Sequence, residues 1–100
     1  MVEIRQTECF GQWIESLRDL RAKARVQARI ERLIGGNPGD VRPIGAGVFE
    51  LRINYGPGYR VDYQQMRTTL IILLAGVDKS SQQGDIEEAL SLARQIKEKL

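Results

Sequence analysis

Histidine is absent from the 100 residues, and cysteine occurs once, at Cys9. Without histidine, Ser-His-Asp and Cys-His nucleophile systems and every His-ligated metal site are excluded. A single cysteine permits neither an internal disulfide nor a thiolate zinc cage. Beside Phe10 and near Trp13, Cys9 reads as a small core thiol. Long hydrophobic runs are missing too. The longest, Leu70 to Val77, has eight residues with Gly76 among them, far short of the roughly 20 that span a bilayer as a helix. The opening Met1-Val2-Glu3-Ile4-Arg5 mixes both charges, so no secretory leader is expected and the cytoplasm is the predicted location. No internal repeat, low-complexity segment or strong carboxylate pair stands out. Gly45-Ala46-Gly47 and Gly56-Pro57-Gly58 do not lie between a strand and a helix, so they read as turns and not as phosphate loops.

What is present is a globular composition, 42% apolar and 28% charged. Its length holds one hydrophobic core, so residues 1–100 are read as a single domain. The formal charge is only +2, but its distribution is uneven. Between Arg18 and Arg67 ten basic residues face five acidic ones, and eleven of the fifteen cations in the chain are arginine.

Val2 to Thr7 alternates apolar and polar, the pattern of a short half-buried strand. Thr7 then caps a helix with Phe10, Trp13, Ile14 and Leu17 at helical spacing. The phase shifts around Arg18 to Leu20. A second helical stretch follows, with Ala22, Val26, Ile30, Leu33 and Ile34 on one stripe, and Gly35-Gly36-Asn37-Pro38-Gly39 stops it. An antiparallel helix pair is expected, with one bent helix as the alternative. From Val48 the period changes to two. Phe49, Leu51, Ile53, Tyr55, Tyr59, Val61 and Tyr63 are placed on one core face by pairing Tyr55 with Tyr59 across a three-residue loop. That register leaves Glu50, Arg52, Asn54, Arg60, Asp62 and Gln64 on the other face. Thr68 to Leu74 reads as a central strand, Gly76 to Gly84 as a polar loop, and Asp85 onward as a final helix with Ile86, Ala89, Leu90, Ala93, Ile96 and Leu100 on one stripe. The predicted class is α+β: an N-terminal strand and two-helix hairpin packed on a mainly antiparallel sheet, with a C-terminal helix.

Two basic constellations emerge. Arg18, Arg21, Arg25, Arg29 and Arg32 fall within an arc of about 80° on a continuous helix, beside the apolar stripe. Such a row can follow phosphates with little base selectivity, engage an anionic protein, or merely form a solvated face that shields the core edge. Arg52, Arg60 and Lys79 form the second. Three cations meeting on a sheet surface suit an oxyanion or phosphate. The same register sets Arg52 against Asp62 in an ordinary cross-strand ion pair, while Arg60 faces Asn54 with no carboxylate opposite.

Glu50-Leu51-Arg52-Ile53, Gly56-Pro57-Gly58-Tyr59-Arg60-Val61, and Leu73-Leu74-Ala75-Gly76-Val77-Asp78-Lys79-Ser80-Ser81-Gln82 with Asp85-Ile86 occur in order. Trp13 lies ahead of them, as does Gly36-Asn37-Pro38-Gly39-Asp40. Together they resemble the "addiction module killer protein" group of the RelE/ParE toxin superfamily, near HigB toxins, over nearly the whole chain. The resemblance implies a RelE-like fold and a cognate antitoxin, typically a helix-turn-helix protein. It also implies cleavage of mRNA in the ribosomal A site by 2′-hydroxyl attack, with no metal and no cofactor.

By that resemblance Arg60, in the Gly-Tyr-Arg block, matches the arginine that contacts the scissile phosphate. Lys79 falls where RelE-like toxins place a second basic catalytic residue, and Arg52 matches a basic strand position. Arg21, Arg25, Arg29 and Arg32 become the expected RNA-binding row. The chain departs at Glu50, where better-studied members carry lysines, and at Ser80, Ser81, Gln82 and Gln83, where some use a tyrosine as general acid. Two further readings accompany the endonuclease: a non-enzymatic poison of DNA gyrase, as in ParE-type relatives, and a weakened relative that only binds its antitoxin.

Overall fold

Thr7 begins the first helix as its hydroxyl predicts. In the computed structural model, which describes residues 2–78 and 90–95, Thr7 Oγ1 accepts from the Phe10 amide at 3.1 Å and donates to the Leu74 carbonyl. The cap therefore also ties helix α1, Glu8–Ser16, to the sheet. Helix α2, Leu20–Ile34, is separate, because the Asp19 carboxylate caps it by accepting from the amides of Arg21 and Ala22. Two helices, and not one bent helix, follow from that cap. At the far end Gly36 takes φ +89°, and the Gly36 and Asn37 amides return to the carbonyls of Leu33 and Arg32. This is a Schellman stop, for which a left-handed glycine is suited.

Five strands form one sheet: β1 Glu3–Gln6, β2 Val41–Gly45, β3 Val48–Ile53, β4 Tyr59–Arg67 and β5 Leu70–Asp78, in the spatial order β1-β5-β4-β3-β2. β1 runs parallel to β5 and all other neighbours are antiparallel. The α+β class and the mainly antiparallel sheet thus match the pattern read from the sequence. β2 lies at an edge, where Pro43 removes no ladder donor that the interior needs.

One face of the sheet carries the main core. Phe10, Ile14, Ala22, Val26, Ile30 and Leu33 of the helices meet Leu51, Ile53, Val61, Tyr63 and Leu73 of the strands. Trp13 packs against this core, near Phe10 and Tyr59, with ring centroids 5.9 and 6.4 Å away. Its ring lies over Gly76, where an added Cβ would sit 2.1 Å from a ring carbon. Cys9 is half-buried and not a core thiol. The other face holds a smaller cluster of Val48, Ile72 and Leu74, on which Ala93 and its neighbours in the helical residues 90–95 pack.

Three expectations need correction. First, β3 and β4 pair with Ile53 opposite Tyr59 and Arg52 opposite Arg60, two residues away from the predicted register. The turn is built from Tyr55 to Gly58, whose carbonyl and amide meet at 2.9 Å, so Tyr55 belongs to the turn and not to the ladder. A shift of two keeps every side chain on its predicted face, which is why the apolar pattern could not detect it. Second, β5 starts at Leu70 and runs to Asp78, because β4 extends back to Tyr59 and supplies partners for residues 75–78. The predicted loop over residues 76–84 is therefore strand through Asp78. Third, Glu50, Arg60, Asp62 and Gln64, which the alternation placed on the face away from the main core, are themselves buried. The remaining positions named for the last stripe, Ile86, Ala89, Ile96 and Leu100, lie outside the described residues.

Candidate functional site

Two arginines face one another where β3 and β4 approach their turn. Arg52 and Arg60 are cross-strand partners, on the same side of the sheet by strand alternation. Like charges directly opposite destabilise a ladder, so their placement requires compensation. Carboxylates supply it. Arg52, half-exposed, donates from Nε and Nη2 to Asp40 Oδ1 at 3.3 and 3.1 Å. Its partner is thus Asp40 and not the predicted Asp62, since the two-residue shift sets Asp62 opposite Glu50 instead.

Arg60 is 8% exposed and is held from two sides. Its Nη1 lies 3.5 Å from Glu50 Oε2, and its Nη2 donates to the Asp78 carbonyl at 3.3 Å. Glu50, 1% exposed, reaches Arg42 on β2 with its other oxygen at 3.6 Å. Arg60 faces Arg52 and not the predicted Asn54, for the same reason as the register, and no carboxylate stands directly opposite it. Glu50 stands diagonally beside it, two residues along β3 from its direct partner. A buried charge pair of this kind fixes a guanidinium in one orientation, at a desolvation cost that only good geometry offsets.

Asp40, Arg52, Asn54, the 56–58 turn, Tyr59 and Arg60 surround a cleft of about 320 Å³. Arg52 and Arg60 therefore open on one space, as the sequence led us to expect. Lys79, the third member of that constellation, lies outside the described residues.

The arginine row divides. Arg18 sits in the segment between the helices, whereas Arg21, Arg25, Arg29 and Arg32 lie on α2. Arg29 is an internal clamp. Its Nη1 donates to the Arg52 carbonyl at 2.6 Å, and its Nη2 to the carbonyls of Pro38 and Asp40 at 2.8 and 3.3 Å. Burial, then the charge of Arg32, draws the Arg29 guanidinium below its ordinary pKa, with Asp40 acting the other way. Gly39 allows this approach, because a Cβ there would come within 3.1 Å of Arg29 Nη2. Arg25 instead lies over the Tyr55 ring, 5.1 Å from its centroid, a cation–π contact.

Sequence reasoning missed Asp40 and Glu50 as the carboxylates that hold Arg52 and Arg60, and the clamp role of Arg29. One signal was available for the buried carboxylates. An apolar stripe on the last helix needs a surface to cover, and the second sheet face is the surface left over. Among the described residues no group of three or more His, Cys, Asp or Glu could hold a metal ion. Among the same residues no helix is long and apolar enough to cross a membrane.

Comparison with known proteins places the chain beside an uncharacterized protein of Haemophilus influenzae. The two are 46% identical over 95 residues, covering 95% of this chain and 96% of the relative. The chain belongs to the same family as that protein. No family model matches it.

Proposed function

We propose that this chain is a HigB-like toxin of the RelE/ParE superfamily, acting as a metal-independent endoribonuclease on mRNA held by the ribosome. Its partners would be a helix-turn-helix antitoxin, the ribosome and mRNA. The observation that carries the reading is the opposed pair Arg52–Arg60 opening on one cleft, with Arg60 aimed by Glu50 and the Asp78 carbonyl. Two guanidiniums set against each other in one cleft form a site for a phosphodiester, whose non-bridging oxygens suit their forked donors.

In this reading the ribose 2′-hydroxyl attacks the adjacent phosphorus and gives up its proton to water, while the bond to the 5′-oxygen of the next nucleotide breaks and that oxygen takes up a proton. A 2′,3′-cyclic phosphate and a 5′-hydroxyl result. Arg60 stabilises the negative charge that grows on the phosphorane, a preorganised electrostatic role. Arg52 binds a second phosphate oxygen after exchanging Asp40 for substrate, and Lys79 assists the leaving oxygen. The basic face of α2 holds ribosomal RNA by its backbone.

A second reading is favoured by one observation: both arginines of the cleft already have a carboxylate partner, Asp40 and Glu50. A relative so neutralised would retain antitoxin binding alone. Primer extension on a defined mRNA, with and without ribosomes, separates the two. The endonuclease reading predicts discrete cuts that require ribosomes. Intact message with folded protein and intact antitoxin binding favours the second reading, and loss of supercoiling activity in a gyrase assay would instead indicate a gyrase poison.

A further inference from the structure

Tyr55 stands between two features already described. Its turn neighbours Asn54 and Gly56 to Gly58 line the arginine cleft, while Tyr55 itself lines a shallow groove of about 420 Å³ with Arg21, Ala24, Arg25 and Ala28 of α2. The two spaces are lined by neighbouring residues of a single turn. Within the groove, Ala24 and Ala28 keep the helix surface low, and the exposed Arg21 and Arg25 rise one turn apart at its side.

The Arg25 guanidinium rests on the Tyr55 ring, 5.1 Å from its centroid, a contact that favours one orientation of the plane. A planar cation held over an aromatic ring loses less freedom on binding than a free side chain and offers a flat outer surface. Bases of single-stranded RNA stack on such guanidinium and aromatic planes. Charge favours the same ligand, since α2 carries five cations (Arg21, Lys23, Arg25, Arg29 and Arg32) and one carboxylate, Glu31. From these features we infer that Arg25 on Tyr55 forms a base-stacking subsite for single-stranded RNA, with Arg21 taking a neighbouring phosphate, next to the Arg52–Arg60 cleft. The inference rests on reading that cleft as an RNA site, and it divides the arginine row: Arg21 and Arg25 meet RNA, whereas Arg29 holds the protein together.

The test is fluorescence anisotropy of a labelled oligoadenylate of about ten nucleotides, within the span such grooves cover, beside an abasic strand of equal length. Arg25→Lys keeps the charge and removes the plane. It should weaken oligoadenylate binding by about fivefold, the effect of a weak stacking contact, and leave abasic binding unchanged. Arg21→Gln should weaken both strands and lower the salt slope by about 0.7, one phosphate's worth. Tyr55→Ala should match Arg25→Lys, and Tyr55→Phe should bind as wild type. Arg94→Gln, an exposed charge on the helical segment across the sheet, should change neither strand. Equal binding of abasic and oligoadenylate strands, wild-type affinity in Arg25→Lys, or displacement by polyglutamate as effective as by unlabelled RNA would each overturn the inference. Cleavage by the wild type, lost in Arg60→Ala, would still stand in any of these cases, so the two failures are distinguishable.

Discussion

Arg52 stands directly opposite Arg60 across the β3–β4 ladder, and each is held by a carboxylate from a different part of the chain. Asp40 comes from the segment after α2 and is exposed. Glu50 comes from within the sheet and is buried. The two pairs therefore respond differently to mutation.

Asp40→Asn removes an exposed ion pair, so its cost in stability should be below about 1 kcal/mol. The same change frees the Arg52 guanidinium for anions. Binding of short RNA, measured by anisotropy, should tighten while the urea midpoint hardly moves.

Glu50→Ala leaves the Arg60 guanidinium buried without its carboxylate neighbour. Breaking a buried pair in this way should cost about 3–5 kcal/mol, visible in equilibrium urea unfolding. Glu50→Gln, which keeps shape and one acceptor, should cost less. A loss below about 1 kcal/mol in Glu50→Ala would show that Glu50 does not hold Arg60.

Much of this architecture was legible in the sequence. Thr7 marks a helix start, and the odd-numbered strand residues from Phe49 to Tyr63 mark the core face, because each signal is local or strictly periodic. The β3–β4 register was not legible. A two-residue slip preserves alternation, and only the Tyr55–Gly58 turn decides between registers. Glu50 and Asp62 fall on the face away from the main core because their neighbours alternate cleanly, and alternation alone does not tell that this face is covered as well. The pairing of Asp40 with Arg52 depends on Arg29 reaching three carbonyls from α2, a contact between segments far apart in the chain.

Gly76 is required by the ring that lies on it. Gly76→Ala would drive a Cβ into Trp13, and overpacking of this kind costs about 1–3 kcal/mol or more. Thermal melting should show the loss, with altered Trp13 fluorescence. In a Trp13→Leu background, the added penalty of Gly76→Ala should shrink.

Tyr63 carries a pH prediction. Burial raises its phenol pKa above the ordinary 10.0, so the unfolded chain ionises first. Between the unfolded and folded pKa values the native state binds more protons, and stability falls as pH rises. The contribution is intact below about pH 10 and declines above it. Tyr63→Phe, which keeps the stack on Phe49 at 5.5 Å, should flatten that decline in melts taken across the alkaline range.

The most direct measurement is primer extension on a translated mRNA with wild type beside Arg60→Ala, each shown by circular dichroism to be folded. Ribosome-dependent cuts are expected with wild type, and a loss of about a hundredfold or more in the variant, the scale for removing a preorganised charge-stabilising donor. Intact mRNA with folded wild-type protein, or equal cutting by Arg60→Ala, would contradict that expectation.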